Sequence, residues 1–200
     1  MTADLMVLLA KLISGATARW SGCEPDARQR VYFANHTSHL DALVLWAVLP
    51  TELRAITRPV AARDYWLAGK LRRYVAEEIF HAILIERKKP TASDNPIEQI
   101  LATMGDTRSI IIFPEGTRNA GPEPTAFKSG LYHLAHKRPD VELVPVLMDN
   151  LNRILPKGEF LPVPLIGHVT FGAPMKLLPD ETKPAFLERA RSAVAQLREV

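Results

Sequence analysis

The sequence predicts an α/β protein in which helices flank a single-layer, mixed and mostly parallel β-sheet. Short apolar runs alternate with longer segments whose apolar residues recur at helical spacing, which is the pattern of this fold class. The run at residues 109–113 is continuously apolar after its serine, so we expect a central strand with both faces covered. A chain of 200 residues is long enough to bury roughly 70% of its unfolded surface in one domain.

The predicted elements alternate along the chain. Strands are expected at residues 30–34, 54–57, 82–85, 109–113, 142–147 and 167–171. Helices are expected at residues 38–49, 64–76, 96–104, 128–137 and 183–199, the last with Pro184 in its first turn, where a missing N–H is tolerated. We therefore predict one domain over residues 1–200, made of an amino-terminal segment (1–27), a motif-bearing core (28–175) and a carboxy-terminal helix (181–199).

The amino-terminal segment contains an apolar helix with two candidate positions. The helix could pack on the core, or it could lie in a membrane interface, which Lys11, Arg19 and Trp20 would suit. Crossing a bilayer takes about 18 uninterrupted apolar residues, and the longest run, residues 42–50, is far shorter. We therefore expect no transmembrane span.

The distribution of charge indicates which partners to expect, and the cysteine content indicates the compartment. The net charge is only +3, but nine basic and four acidic residues fall between Arg54 and Lys89, a local charge of +5. This stretch is either a solvated surface or a site for anionic lipid headgroups or a phosphorylated substrate. It lacks interleaved aromatic residues and any nucleic-acid-binding motif, so no nucleic-acid partner is expected. The single cysteine, Cys23, cannot form an internal disulfide, which favours a reducing compartment.

The first candidate motif, NHTSHLD at residues 35–41, lies between a predicted strand and an apolar helix, where α/β sheets place their sites. His36 and Asp41 would not share a face of a regular helix, but a turn before the helix would let the carboxylate reach one imidazole nitrogen. The other nitrogen could then accept a proton from a hydroxyl that the substrate supplies. Alternatively, Ser38 and Asp41 form a capping box, in which Asp41 only binds backbone N–H groups.

A second motif, FPEGTR at residues 113–118, also follows a predicted strand. Gly116 permits a tight turn, Thr117 and backbone amides suit an anion, and Arg118 offers paired donors for phosphate; an ordinary turn is the alternative. Two more predicted strands carry notable residues. The segment ILIER at 83–87 ends in Arg87, and Pro145 interrupts residues 142–147, which indicates an edge, a bulge or a wall shaped for a ligand.

In chain order, NHTSHLD (35–41), ILIER (83–87), FPEGTR (113–118) and VPV (144–146) resemble the four motif blocks of the glycerolipid acyltransferases, especially the bacterial PlsC-type 1-acylglycerol-3-phosphate acyltransferases. The segment FKSG at 127–130 resembles the residues that commonly follow the third block. The resemblance covers roughly residues 28–175. It implies an α/β fold and transfer of a fatty acyl group from an acyl-CoA or acyl carrier protein thioester to a hydroxyl of a lysolipid, with no metal or cofactor required.

The resemblance also implies roles for individual residues. His36 would be the general base and Asp41 would orient it. The other matched positions would bind the substrates. Glu115, Gly116, Thr117 and Arg118 would bind the acceptor, and Arg87 would bind the phosphate of the acceptor. Pro145 would line the region that holds the acyl chain, and Asn35, Ser38 and Lys128 would also belong to the substrate-binding site.

Two departures from the family pattern affect these implications. His81 stands where members usually carry glycine at the start of the second block, which leaves the acceptor open. The amino-terminal membrane helices of many members are shortened here to one segment, which implies looser membrane attachment.

We therefore expect an O-acyltransferase of phospholipid biosynthesis, attached peripherally to the cytoplasmic face of the cell membrane, with 1-acylglycerol-3-phosphate as the leading acceptor. A lyso-aminolipid is an alternative acceptor. A metal-dependent hydrolase is a different alternative, because His36 and His39 are three residues apart, as are His133 and His136. The third alternative is a non-catalytic module that binds a lipid surface.

Overall fold

The computed structural model describes residues 2–86, 95–119, 121, 123–149 and 167–199. The strands are β1 Thr17–Trp20, β2 Arg30–Ala34, β3 Thr57–Ala62, β4 Ile83–Ile85, β5 Ser109–Ile112, β6 Glu142–Asp149 and β7 His168–Phe171. The helices are α1 Ala3–Ser14, α2 Asp41–Val48, α3 Thr51–Ile56, α4 Arg63–Trp66, α5 Lys70–Tyr74, α6 Pro96–Met104, α7 Gly130–Lys137 and α8 Lys183–Gln196, with a π-helical turn at Val75–Ile79 and a 3₁₀ turn at Leu197–Glu199.

The seven strands form one sheet in the order β1-β7-β6-β2-β5-β3-β4. The five strands β6, β2, β5, β3 and β4 are parallel to one another. Strand β7 is antiparallel to β6 and parallel to β1. The prediction of a mixed, mostly parallel sheet is therefore confirmed. Strands β2 and β5 are adjacent, parallel and buried along their whole length, so the motifs that follow them begin at the same edge of the sheet.

The sheet separates two hydrophobic cores. In β2, Tyr32 and Ala34 pack on one face together with α1 and α2, whereas Val31 and Phe33 pack on the other face together with α6, α7 and α8. This division follows from the pleat, because successive side chains of a strand point to opposite faces. Helices on both faces explain why the central strands β2 and β5 are buried at every position.

Two predicted elements differ from the structure near α3. Residues 54–57 were expected to be a strand, but residues 54–56 form the end of helix α3, and β3 begins only at Thr57. Arg54 is 9% exposed, and its guanidinium donates to the carbonyl groups of Ala47 and Leu49 at 3.3 Å each. A buried arginine that caps the end of α2 is a tertiary interaction, so apolar spacing could not reveal it.

The predicted helix over residues 64–76 is broken into α4, α5 and the π-helical turn. The break falls at Gly69, which has extended φ and ψ angles and precedes α5. Strand β1 was not predicted, because its residues alternate between exposed and half-buried and include two polar side chains. Its parallel pairing with β7, which is a tertiary contact, is what makes these residues a strand.

Helix α1 shows a divided surface. Met6, Val7 and Ala10 are buried against the core that includes α2. The opposite side exposes large apolar side chains to between 39% and 69%, namely Leu5, Leu8, Leu9, Leu12 and Ile13. Packing on the core is thus observed for one side of the helix only. Within the described ranges, no helix combines the length and the apolar character needed to cross a membrane.

Candidate active site

The centre of the site is a hydrogen-bonded pair in the turn after β2. His36 Nδ1 lies 2.9 Å from Asp41 Oδ2, and Asp41 is fully buried at the start of α2. The same oxygen accepts hydrogen bonds from the backbone N–H groups of Thr37 at 2.6 Å and Ser38 at 2.9 Å. Asp41 therefore does both things that the sequence suggested: it holds the backbone of the turn and it orients the imidazole. With Nδ1–H donated to the carboxylate, Nε2 is left as a proton acceptor.

The backbone of His36 is held on both sides by the loop that follows β5. Its N–H donates to Glu115 Oε1 at 2.7 Å, and its carbonyl accepts from the Asn119 N–H at 2.7 Å. The other oxygen of Glu115 accepts from the N–H and the hydroxyl of Thr125, at 2.9 and 2.5 Å. Glu115 is only 3% exposed. The structure thus places this carboxylate beneath His36, and Glu115 is not among the described residues that line the cleft.

The ring of His36 is also fixed from one face. Phe113 stacks on it with ring centroids 4.4 Å apart and an angle of 25° between the planes. The ring, its Nδ1 atom and its backbone are therefore each restrained by a different group. Such restraint keeps a reactive atom in place without a reorganisation cost during the reaction.

A cleft of about 610 Å³ opens beside His36. The loops after β2 and β5 and the segment before α7 contribute polar lining residues: His36, His39, Thr117, Arg118, Lys128 and Ser129. Tyr65, Glu86 and His133 are further polar residues of the lining. Its apolar lining comes from β3, β4, β5, α6 and α7: Val60, Ile85, Ile97, Ile100, Ile112, Leu131 and Leu134. The cleft therefore connects an imidazole and two cationic side chains with the apolar core between α6 and α7.

Gly116 makes room for one of these cations. Its φ is +71°, and a Cβ atom at this position would lie 2.5 Å from Lys128 Nζ and 2.8 Å from Lys128 Cε. A side chain here would therefore need both an unfavourable backbone conformation and a displaced lysine. The turn is closed by a hydrogen bond from the Gly116 N–H to the Phe113 carbonyl at 2.9 Å.

Arg118, which is exposed at the rim of the cleft, contacts Nε2 of His39. The other ring nitrogen of His39 lies 2.7 Å from the hydroxyl of Tyr65. Partial burial of the imidazole, followed by the positive charge of Arg118, lowers the pKa of His39 below its ordinary value of 6.5. His39 is therefore held as a neutral group at the rim.

The structure brings together some of the predicted site residues and separates others. His36, Gly116, Thr117, Arg118 and Lys128 line the cleft, and Asp41 and Glu115 lie behind it. Arg87 lies outside the described residues.

Asn35 and Ser38 direct their polar atoms to the backbone, and neither is among the described residues that line the cleft. The Asn35 amide exchanges hydrogen bonds of 2.8 and 3.0 Å with the backbone of Met148 in β6, and the Ser38 hydroxyl accepts from the Leu40 N–H at 3.2 Å. Both residues are only 2% exposed. Their polar atoms shape the turn between β2 and α2, a role that side-chain chemistry alone does not distinguish from binding.

Pro145 lies in an inner strand and not at an edge of the sheet, since β6 is paired with both β2 and β7. It is buried beside Gly172, whose N–H donates to the Pro145 carbonyl at 2.9 Å. A Cβ atom on Gly172 would lie 3.0 Å from the proline ring and 2.8 Å from Leu197. The described lining of the cleft does not include Pro145, so its place in an acyl region stays a prediction.

His81 has a φ of +46°. This left-handed conformation is easy for glycine and costly for residues with a Cβ atom. A backbone requirement therefore accounts for the glycine that the family usually carries at this position. Since His81 is exposed and is not among the described residues that line the cleft, the departure has a conformational cost and no visible effect on the acceptor site.

Three residues that support the site carry little signal in the sequence, namely Tyr65, Asn119 and Thr125. Tyr65 was visible only as an aromatic residue within a basic stretch, and the other two lie in a loop with no regular pattern. For the described residues, no cluster of three or more histidine, cysteine, aspartate or glutamate side chains is arranged to hold a metal ion.

Comparison with known proteins agrees with the motifs. A family model described as Acyltransferase matches residues 23–149. Human 1-acyl-sn-glycerol-3-phosphate acyltransferase alpha is 31% identical over 98% of this chain and 69% of its own length. The mouse protein of the same name is 32% identical over 78% of this chain, and 1-acyl-sn-glycerol-3-phosphate acyltransferase of Limnanthes douglasii is 29% identical over 76%. The chain spans about half of the mouse and plant relatives, 53% of each.

The fold is similar to a solved structure. The crystal structure of the 1-acyl-sn-glycerophosphate acyltransferase PlsC from Thermotoga maritima superposes with a TM-score of 0.74, over 98% of this chain and 78% of that one. The two sequences are 17% identical, so this similarity concerns the architecture.

Proposed function

Because the chain belongs to the acyltransferase family, we propose that it transfers a fatty acyl group from a thioester to the hydroxyl of a lysophospholipid, with 1-acylglycerol-3-phosphate as the acceptor. The observation that carries the proposal is the His36–Asp41 pair at a cleft whose lining continues into the apolar core. The names of the human, mouse and plant relatives support this acceptor. The donor is acyl-CoA or an acylated carrier protein.

The chemistry begins at Nε2 of His36. As the acceptor oxygen attacks the thioester carbonyl carbon, Nε2 takes the hydroxyl proton, and the carboxylate of Asp41 stabilises the imidazolium that forms. The tetrahedral intermediate then collapses, the carbon–sulfur bond breaks, and the imidazolium returns its proton to the thiolate. The products are an ester and a thiol, and His36 is regenerated.

Two positively charged side chains of the cleft are placed to bind the acceptor phosphate. Arg118 supplies a planar set of donors and Lys128 a second positive charge, and both line the same cleft as His36. The backbone N–H groups of His36, Thr37 and Ser38 already donate to Glu115 and Asp41. These two cations are therefore the candidates to neutralise the anionic groups of the substrates.

The test measures thiol release and lipid product for the wild type with acyl-CoA and with acyl carrier protein. The acceptors are 1-acylglycerol-3-phosphate, an uncharged monoacylglycerol and a lyso-aminolipid. We expect turnover with the phosphate-bearing acceptor and a loss of about 10²- to 10⁴-fold in kcat for His36→Ala. His136→Ala is the matched control, because His136 is exposed on α7 and stacks on Tyr132. Near-normal turnover in His36→Ala would remove the assigned base.

The proposal includes peripheral attachment to the membrane through α1, because the acceptor and the product are lipids. The exposed apolar side of this helix, with Leu12 at 69% exposure, supports attachment. We expect Leu12→Glu to reduce binding to vesicles that contain anionic phospholipid. Leu178→Glu, at 55% exposure and outside α1, is the control and should bind like the wild type. Equal binding by all three proteins would contradict attachment through α1.

A further inference from the structure

A connected row of polar side chains lies at the rim of the cleft. It contains Arg118 from the loop after β5, His39 from the turn after β2, and Tyr65 from α4. The rings of His39 and Tyr65 stack, with centroids 5.6 Å apart and 21° between the planes. All three residues line the same cleft as His36. Three separate segments of the chain therefore meet at one imidazole.

The partners of His39 determine where its proton lies. Arginine has only N–H donors, so the nitrogen that faces Arg118, Nε2, must supply the lone pair. The proton of a neutral imidazole is then on Nδ1, which donates to the Tyr65 oxygen at 2.7 Å. Since that oxygen accepts from His39, the Tyr65 hydroxyl hydrogen can donate to a group in the cleft. A doubly protonated His39 could not accept from Arg118.

The charges around His39 favour the same neutral state. Arg118 faces it from the loop after β5, His36 and Asp41 from its own turn and α2, and Arg72 from α5. Partial burial and the positive charges of Arg118 and Arg72 lower the pKa of His39, and the charge of Asp41 opposes them. Arg72 also lies over the face of the Tyr65 ring, with its guanidinium carbon 4.6 Å from the ring centroid.

We propose that His39, held by Tyr65, is a positioning residue that fixes the guanidinium of Arg118 for the phosphate of the acceptor and does so only as a neutral imidazole. This rests on the proposed function and deepens it. An exposed arginine loses rotamer freedom when it binds a ligand, and a contact that orders it beforehand reduces that loss. One N–H group of Arg118 is used by His39, and the guanidinium has others that can bind phosphate oxygens.

The first test separates binding from chemistry. We expect His39→Ala to raise the acceptor KM by about 10-fold, the usual size of one lost hydrogen bond to a charged group, with little change in kcat. His39→Gln should retain most of the affinity, because its amide oxygen can accept from Arg118 and its NH₂ can donate to Tyr65. Tyr65→Phe should raise KM less than His39→Ala. His136→Ala is again the control, since it removes an exposed imidazole that stacks on Tyr132 at 6.0 Å.

A double-mutant cycle tests whether His39 acts through Arg118. If it does, His39→Ala combined with Arg118→Ala should raise KM no more than Arg118→Ala alone. Multiplicative effects of the two substitutions would overturn the proposal, as would an unchanged acceptor KM in His39→Ala. Melting temperatures of the variants, measured alongside, should match that of the wild type because His39 and Arg118 are exposed.

The pH dependence of the acceptor KM is a further test, because it would not change if His39 had a purely structural role. Below the lowered pKa of His39, protonation places a positive charge against Arg118 and removes the acceptor atom, so acceptor KM should rise as the pH falls. In His39→Gln this component should be absent, while the titration of the acceptor phosphate remains. Identical profiles for the two proteins would overturn the proposal.

The two proposals can fail separately. If the wild type transfers no acyl group to any acceptor, the proposed function fails. If the wild type uses the phosphate-bearing acceptor but His39→Ala has the same KM, only the positioning role fails. The uncharged monoacylglycerol is the internal reference, because its KM should not depend on His39.

Discussion

The active site has two parts that are built differently. The buried part consists of Asp41 and Glu115, which are 0% and 3% exposed and hold the turn that carries His36. The rim consists of exposed His39, Arg118 and Lys128 with the partly exposed Tyr65, and it is joined largely by contacts between side chains. In the buried part, each carboxylate binds at least two backbone N–H groups.

This difference follows from what each part has to do. Proton transfer requires the base within hydrogen-bonding distance of the reacting oxygen, so small displacements cost large factors in rate. Backbone hydrogen bonds in a buried environment provide that precision. Recognition of a phosphate by long cationic side chains tolerates more movement, because charge attraction falls off slowly with distance. We therefore expect substitutions in the buried part to change kcat and substitutions at the rim to change KM.

Asp41→Asn should give the largest effect. Oδ2 of Asp41 accepts three hydrogen bonds, and Oδ1 has no donor among the described residues, so an asparagine can keep its oxygen at Oδ2 and the fold intact. The charge that stabilises the imidazolium is lost. We expect kcat to fall about 10²- to 10⁴-fold with acceptor KM nearly unchanged. A rise in KM without a loss of kcat would contradict the division into two parts.

Glu115→Gln should come next. One of the buried amide's atoms would be an NH₂ group facing either the His36 N–H or the Thr125 N–H, so a donor would meet a donor. We expect kcat to fall about 10-fold and stability to fall by about 1–3 kcal/mol, measured by steady-state kinetics and denaturant unfolding. Thr125→Val, which removes only the hydroxyl donor, should show a smaller decrease in kcat. If Glu115→Gln instead raised acceptor KM at constant kcat, Glu115 would be an acceptor ligand.

Gly116→Ala tests the rim of the cleft, and Gly105→Ala is its matched control. Both Gly116 and Gly105 have positive φ, +71° and +49°, but only at Gly116 would a Cβ atom meet Lys128. Each alanine should cost about 1 kcal/mol in unfolding free energy. Only Gly116→Ala should also raise acceptor KM, by about 3- to 10-fold, because Lys128 is displaced. Equal KM values for the two variants would show that Lys128 does not contribute to acceptor binding.

The smallest expected effect lies at His81, which belongs to neither part. Replacement by glycine relieves a φ of +46° and should raise stability by about 1 kcal/mol. That corresponds to an increase of about 2–4 °C in melting temperature for a domain of this size. Acceptor KM should not change. A change in KM would connect His81 to the acceptor site, as its place at the start of the second motif block suggested.

Sequence reasoning succeeded where the signal for an element or a residue pair lies within a short segment of the chain. Strand β2 and helix α6 have the predicted bounds, because an apolar run and an Asn-Pro start are local signals. The His36–Asp41 pair was predicted from the need for a turn before a helix. Sequence reasoning does not distinguish two roles for polar residues inside a motif, since Asn35, Ser38 and Glu115 have the same chemistry whether they bind a substrate or the backbone.

Local patterns of residues were enough to predict the alternation of strands and helices, the two motifs at strand ends and the chemistry that an imidazole beside a carboxylate can perform. These features depend on residues close together in the chain. The folded structure was needed to show which side chains face the cleft, that Glu115 lies beneath His36, and that Tyr65 contacts His39. Such contacts join residues up to 79 positions apart, and their geometry is set by the packing of the sheet and helices, which no local pattern encodes.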